Sequence, residues 1–214
     1  FDVRDGTYSE SVELPPIGGA SAQNTITFRS ESGDSSAVTI EAPGDGGNEP
    51  LRLNGADFVH VEHMTLSATA GSGDARAVYL KSRIDSARFA HVQFLSRSSN
   101  DENGEVGLYA ENNTITTGLV VDSSRFGASA SGIHLEGDNN NRSTGTTIRH
   151  NVFGDAALAG PDDRGIYVQY HGGGLAIVGN RLSNGPRWVI HVEQTGSSGT
   201  RPLVANNMIS VSGN

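Results

Sequence analysis

The apolar positions of this chain fall into two alternating motifs. The longer one has an apolar residue, two variable positions, a fourth that is often Asn, a variable fifth and an apolar sixth. It recurs as Val61–Leu66, Phe89–Phe94, Val121–Phe126, Ile148–Phe153, Ile177–Leu182 and Val204–Ile209, with starts 28, 32, 27, 29 and 27 residues apart. Between the copies lies a shorter motif with strict two-residue alternation: Leu51-Arg-Leu53, Val78-Tyr-Leu80, Leu108-Tyr-Ala110, Ile133-His-Leu135, Ile166-Tyr-Val168 and Ile190-His-Val192. Alternation of this kind predicts short strands with one buried face. No helical period persists, and Gly, Ser, Asn and Asp fill the intervals. One repeat cannot bury its own inward residues, so successive repeats must stack into a continuous core. The pattern predicts an all-β parallel solenoid of about seven coils, forming one domain over residues 1–214. In the last three copies the fourth position is Asn (Asn151, Asn180, Asn207), where stacked amides can form a hydrogen-bonded ladder. That role is structural.

Composition agrees with a chain that turns often. Glycine makes up 28 of 214 residues, and aromatic residues only 6%. The balance of 15 basic against 24 acidic side chains gives a formal net charge of −9, with Lys81 the only lysine. Nucleic acid and anionic membranes both call for a basic surface, so neither is an expected partner. No apolar run reaches the length of a membrane span, so membrane insertion is not expected either. Without cysteine there are no disulfides or thiolate metal sites. The chain opens at Phe1 with neither an initiator methionine nor a signal peptide, and reads as an excerpt from a longer polypeptide with further domains.

The repeats resemble the right-handed parallel β-helix of pectate lyases and many secreted surface proteins. The opening Gly6–Val12, Asn24–Phe28 and Leu53–Phe58 resemble modules of large secreted bacterial proteins, and in size and make-up the chain is similar to β-helix carbohydrate-binding modules attached to xylanases. The resemblance covers essentially the whole chain. It implies a single-stranded right-handed winding and a secreted or cell-surface bacterial location. It does not specify an activity, because this fold carries lyases, hydrolases, adhesins and binding modules alike.

Candidate chemistry lies on the outward positions of the short motif. Read coil by coil, the middle residues form the row Arg52, Tyr79, Tyr109, His134, Tyr167, His191. Two residues on, the next row is Asn54, Lys81, Glu111, Glu136, Gln169, Glu193. Two residues earlier the positions are small: Ala77, Gly107, Gly132 and Gly165. Strands about 4.8 Å apart would turn the rings into an exposed platform flanked by carboxylates, amides and a glycine trough. Such a surface suits an extended polysaccharide, a sugar's C–H face packing on rings while its hydroxyls meet polar side chains. A purely structural aromatic column is the competing reading. The stacked glutamates favour function, because like charges one above another repel unless something compensates. Loops Ser67–Arg76, Ser96–Glu105, Gly137–Gly145, Gly154–Arg164 and Gln194–Arg201 would wall the sheet into a groove. Trp188, the only tryptophan, is either a sugar platform or a lid on the core.

Three functions remain open. A lyase would use Tyr109 and His134 for proton transfer, although a polyanionic substrate would be repelled by the three glutamates. A glycosidase would use Glu111 and Glu136, whose one-coil separation approximates the spacing of retaining enzymes, about 5–5.5 Å. The third, a non-catalytic module binding a weakly charged plant polymer such as xylan, needs no chemistry and fits the acidic, aromatic face best; a structural or adhesive module is its bland competitor. No cofactor is required. Calcium is possible at Asp155, Asp162 and Asp163, which share one loop. Asp162-Asp163 with His171-Gly172 faintly resembles the polygalacturonase signature, but the spacing does not match. His63, His91 and His150 share the third position of the long motif and form a structural column rather than a zinc site.

Overall fold

The structure, a computed structural model, describes residues 1–44, 48–71, 73–97, 104–127, 131–154, 164–183, 188–196 and 200–210. Among these there is no helix, and every ladder between named strands is parallel. The chain winds as a parallel β-solenoid of about six turns, close to the seven expected. Sheet A runs from Asp2–Val3 to Leu203–Ala205 in eight strands, and sheet B from Gly6–Ser9 to Met208–Ser210 in eight. Sheet C has seven, from Val12–Leu14 to Trp188–Glu193. Each winding visits A, B and C in turn.

The two motifs are the inward columns of these sheets. Val61 pairs with Phe89, Phe89 with Val121, and the column continues through Ile148 and Ile177 to Val204. The sixth position forms the matching column of sheet B, where Phe94, Phe126 and Phe153 stack face to face at 4.5 and 4.6 Å. Removing these side chains from water is what holds the windings together.

The corner between sheets A and B is one tight turn, and it explains the third and fourth positions of the long motif. His63, His91, Ser123, His150 and Asn206 all sit at φ between 50 and 55°, with Gly179 at 68°. This left-handed conformation turns the chain while the next residue points inward. That next residue is Met64, Val92, Ser124, Asn151, Asn180 or Asn207. The asparagines form the expected ladder: Asn151 Nδ2 donates to Asn180 Oδ1 at 3.0 Å, and Asn180 Nδ2 to Asn207 Oδ1 at 2.9 Å.

A fourth, four-stranded sheet D, comprising Arg83–Asp85, Ile115–Thr117, Ser143–Thr144 and His171–Gly173, links C back to A in the middle windings. The sequence pattern does not reveal it, because its buried positions include Thr116, Ser143 and His171. His171 is therefore an interior side chain. Its imidazole is held neutral by burial, with a pKa lowered to about 4, and it is not half of an acid–histidine signature.

Candidate site on sheet C

The outward row exists in one register. Arg52 pairs with Tyr79, Tyr79 with Tyr109, Tyr109 with His134, His134 with Tyr167, and Tyr167 with His191. Successive ring centroids lie 5.6, 5.1, 4.7 and 5.1 Å apart. None of these rings belongs to the inward apolar cluster of the solenoid.

The row is not an exposed flat platform, however. Tyr79, His134 and Tyr167 are only 7, 2 and 5% exposed. Neighbouring rings meet at 49–66° rather than lying coplanar. Two arginines from outside the row also lie over the faces: the Arg76 guanidinium is 5.0 Å from the Tyr79 centroid and 4.2 Å from that of Tyr109, and Arg164 is 4.4 Å from Tyr167. Such contacts already use much of the π surface a ligand would need.

A break in strand alternation puts those arginines there. The ladder passes from Val106–Ser131 directly to Leu108–Ile133, and from Ser131–Arg164 to Ile133–Ile166, leaving Gly107, Gly132 and Gly165 unpaired. These positions face inward rather than forming an outer trough. A Cβ on Gly107 would lie 2.6 Å from Phe126 Cδ1, and one on Gly132 2.5 Å from Phe153 Cδ1, while Ala77 is part of the core. The outward register resumes one residue earlier, at Arg76, Val106, Ser131, Arg164 and Trp188. Sequence reasoning missed Arg76 and Arg164 because it extended a period of two through the glycines. The signal available was a recurring separation of three: Arg76 to Tyr79, Arg164 to Tyr167 and Trp188 to His191.

The polar row beside the rings is internally paired. Tyr79 donates its hydroxyl to Glu111 Oε2, and Lys81 Nζ lies 3.8 Å from Glu111 Oε1. Tyr167 donates to Glu193 Oε1 at 2.6 Å, and Gln169 Nε2 to the same oxygen at 2.8 Å. His134 Nε2 is 3.6 Å from Glu136 Oε2, and His191 Nε2 is 3.6 Å from Glu193 Oε2. Burial, reinforced for Tyr79 and Tyr167 by the carboxylates that accept their protons, pushes all three row tyrosines above the ordinary phenol range. They are proton donors and not bases. Arg52 closes the start of the row on Glu13 and Glu49 at 3.3 and 3.0 Å.

Only part of the predicted set faces solvent. Lys81 is exposed, and Glu111, Glu136, Gln169 and Glu193 are half-buried in a line. At the far end Trp188 is 43% exposed and stacks on His191 at 4.9 Å and 22°. It extends the row and does not cap the core. Edge loops are tied coil to coil: Arg97 donates to the carbonyls of Gly71 and Gly73, and Arg142 Nη1 to those of Gln194 and Gly196 at 3.1 and 3.0 Å. The calcium candidates Asp155, Asp162 and Asp163 lie outside the described residues. Among the described residues no three His, Asp or Glu side chains are placed to hold a metal ion.

No protein-family model matches this chain, and a search of curated proteins found no match.

Proposed function

We propose that the solenoid is a non-catalytic carbohydrate-binding module that holds a neutral or weakly charged plant cell-wall polysaccharide, such as xylan, along the outer face of sheet C. The observation that carries this reading is the one-register row of rings ending on the exposed Trp188–His191 stack, beside a line of half-buried carboxylates and an amide. Sugar C–H faces pack on an exposed indole, and the line Lys81, Glu111, Glu136, Gln169, Glu193 offers acceptors and donors at strand spacing. In this reading the ligand meets the edges of the inner rings and the face of Trp188. A larger secreted or surface-bound bacterial protein is the expected setting, with other domains of the same polypeptide alongside.

Catalysis receives less support from the same geometry. A lyase base at Tyr109 would need a lowered phenol pKa, and burial moves it the other way. Its partner His134 is almost wholly covered. Glu111 and Glu136, the glycosidase pair, are both engaged by neighbouring side chains.

Native gel electrophoresis through a matrix containing xylan tests the proposal. Retardation is expected for the intact chain and should be lost in Trp188→Ala/His191→Ala, whose partly exposed side chains can be removed with little effect on folding. Unchanged retardation in the double variant, or none in the parent across a panel of plant polymers, overturns it.

A further inference from the structure

A second concavity lies at the corner between sheets A and B, away from sheet C. In most windings that corner is two residues, as in His63-Met64 and His91-Val92, but in the second winding residues 31–37 separate Ser30 from Val38. The longer turn lies along the windings that follow and is pinned twice. Thr65 Oγ1 donates to the Ser35 carbonyl at 2.7 Å, and Gln93 Nε2 donates to Ser35 Oγ at 3.0 Å. Between this wall and the corner is a cleft of about 410 Å³ lined by His63, His91, Gln93, Asp34 and Arg125, within the usual volume range of small-molecule sites.

Among the lining groups, the two imidazoles and Arg125 are available to a ligand. His63 and His91 stack at 4.6 Å and 11°, and among the described residues neither ring nitrogen pair makes a hydrogen bond. Arg125 has no ion-pair or hydrogen-bond partner among the described residues, in a chain where most other arginines have one. Asp34 Oδ1 accepts from Ser36 N and Ser36 Oγ, both at 2.8 Å, which fixes the carboxylate as an anion within the wall. The corner conformation itself is cheapest for Gly or Asn, which stand there in later windings as Gly179 and Asn206. Imidazoles at this corner add polar edges to the cleft that the turn does not require.

We propose that this cleft is a binding site for a sugar acid of the uronate type, with the ligand carboxylate on Arg125 and its hydroxyls on the imidazole edges, Gln93 and Asp34. A guanidinium with no partner selects one carboxylate or similar anion. The remaining groups are mixed donors and acceptors, suited to vicinal hydroxyls. A neutral sugar would leave Arg125 unanswered, and an inorganic anion would use Arg125 alone while facing the charge of Asp34. The site is independent of the ligand proposed for sheet C.

Histidine ring resonances of the intact chain provide the assay, assigned through His63→Asn and His91→Asn, substitutions compatible with the left-handed corner. Titration with sodium glucuronate should move both signals saturably. Arg125→Gln should weaken the response about tenfold, the effect of losing one charge-assisted contact. Arg181→Gln, in the same outward column two windings on, should leave it unchanged. An equal response to glucose overturns the acid specificity, and an equal response to sodium sulfate reduces the cleft to a simple anion site. Absence of any saturable shift with glucuronate removes the site, whatever the behaviour of sheet C in xylan gels.

Discussion

The asparagine ladder is the clearest place to put a magnitude on a column of this solenoid. Asn180 is fully buried, and its side chain makes four hydrogen bonds. Its Oδ1 accepts from Asn151 N at 2.9 Å and Asn151 Nδ2 at 3.0 Å, while its Nδ2 donates to Ile148 O at 3.0 Å and Asn207 Oδ1 at 2.9 Å. Asn180→Ala removes all four and leaves the buried Asn151 amide hydrogen without its acceptor. At about 1 kcal/mol net for each bond, the expected loss is about 4 kcal/mol. Asn207, at the open end, is half-buried and accepts from Asn180 N and Nδ2 while donating to Ile177 O. Water can replace part of that set, so Asn207→Ala should cost about half as much. Asn180→Asp is the sharper variant: it keeps the shape and the acceptor but sets a carboxylate oxygen against two oxygens that expect a donor. It should therefore destabilise at least as much as alanine. Equilibrium unfolding in urea, followed by circular dichroism, measures all three. A loss below about 1 kcal/mol for Asn180→Ala, or equal losses at positions 180 and 207, would refute a buried, cooperative ladder.

Two further outcomes follow from the interior. Unfolded, His171 takes up a proton near pH 6.5, whereas in the fold burial delays this to about pH 4. The neutral imidazole therefore costs nothing above pH 6.5, and stability is lost progressively as pH falls from 6.5 to 4, by at most about 3 kcal/mol; the stability of the parent relative to His171→Leu should fall by that amount across the window, and parallel curves would contradict the assignment. Gly132→Ala places a Cβ 2.5 Å from Phe153 Cδ1 and 2.6 Å from the Gly165 carbonyl, and should cost about 3 kcal/mol or abolish folding. Gly127→Ala, whose Cβ would meet only Leu95 Cδ2 at 3.3 Å, should stay within about 1 kcal/mol of the parent, and similar losses in both variants would count against the phenylalanine-stack explanation.

What could be read from the sequence was whatever repeats with a fixed parity. Apolar residues at positions one and six of the long motif, and at both ends of the short one, must face one way in an extended strand, so the inward columns and the row from Tyr79 to His191 follow from counting alone. The asparagine ladder was legible for the same reason. Sheet D was not, because after Ile84 its interior continues through Thr116, Ser143 and His171, and polar residues give no alternation signal. The glycines misled because a residue without a side chain has no visible parity. Gly107, Gly132 and Gly165 were assigned outward by extending the period from the tyrosines, when the strand bends there and turns two consecutive positions inward. That single slip hid Arg76 and Arg164, and with them the covering of the rings.

The covering changes which argument supports a ligand on sheet C. Stacked glutamates looked like a cost awaiting compensation by substrate. The fold supplies much of that compensation itself: Glu111 has the Tyr79 hydroxyl and Lys81, and Glu193 has the Tyr167 hydroxyl and the Gln169 amide, while His134 lies 3.6 Å from Glu136. Glu111 and Glu193 are each met by donors from the preceding winding, so most of this carboxylate line is stable without any ligand. The case for recognition therefore moves along the row to its one unspent aromatic face. Trp188 is excluded from the core, lies nearly parallel to His191, and belongs to the register that places Arg76 and Arg164 over their tyrosines. In two of the earlier windings that register sets a guanidinium over the rings, from Arg76 and Arg164, while Val106 and Ser131 stand there in the other two. At Trp188 the same position carries an indole, which adds a platform to the row where an arginine would have covered it.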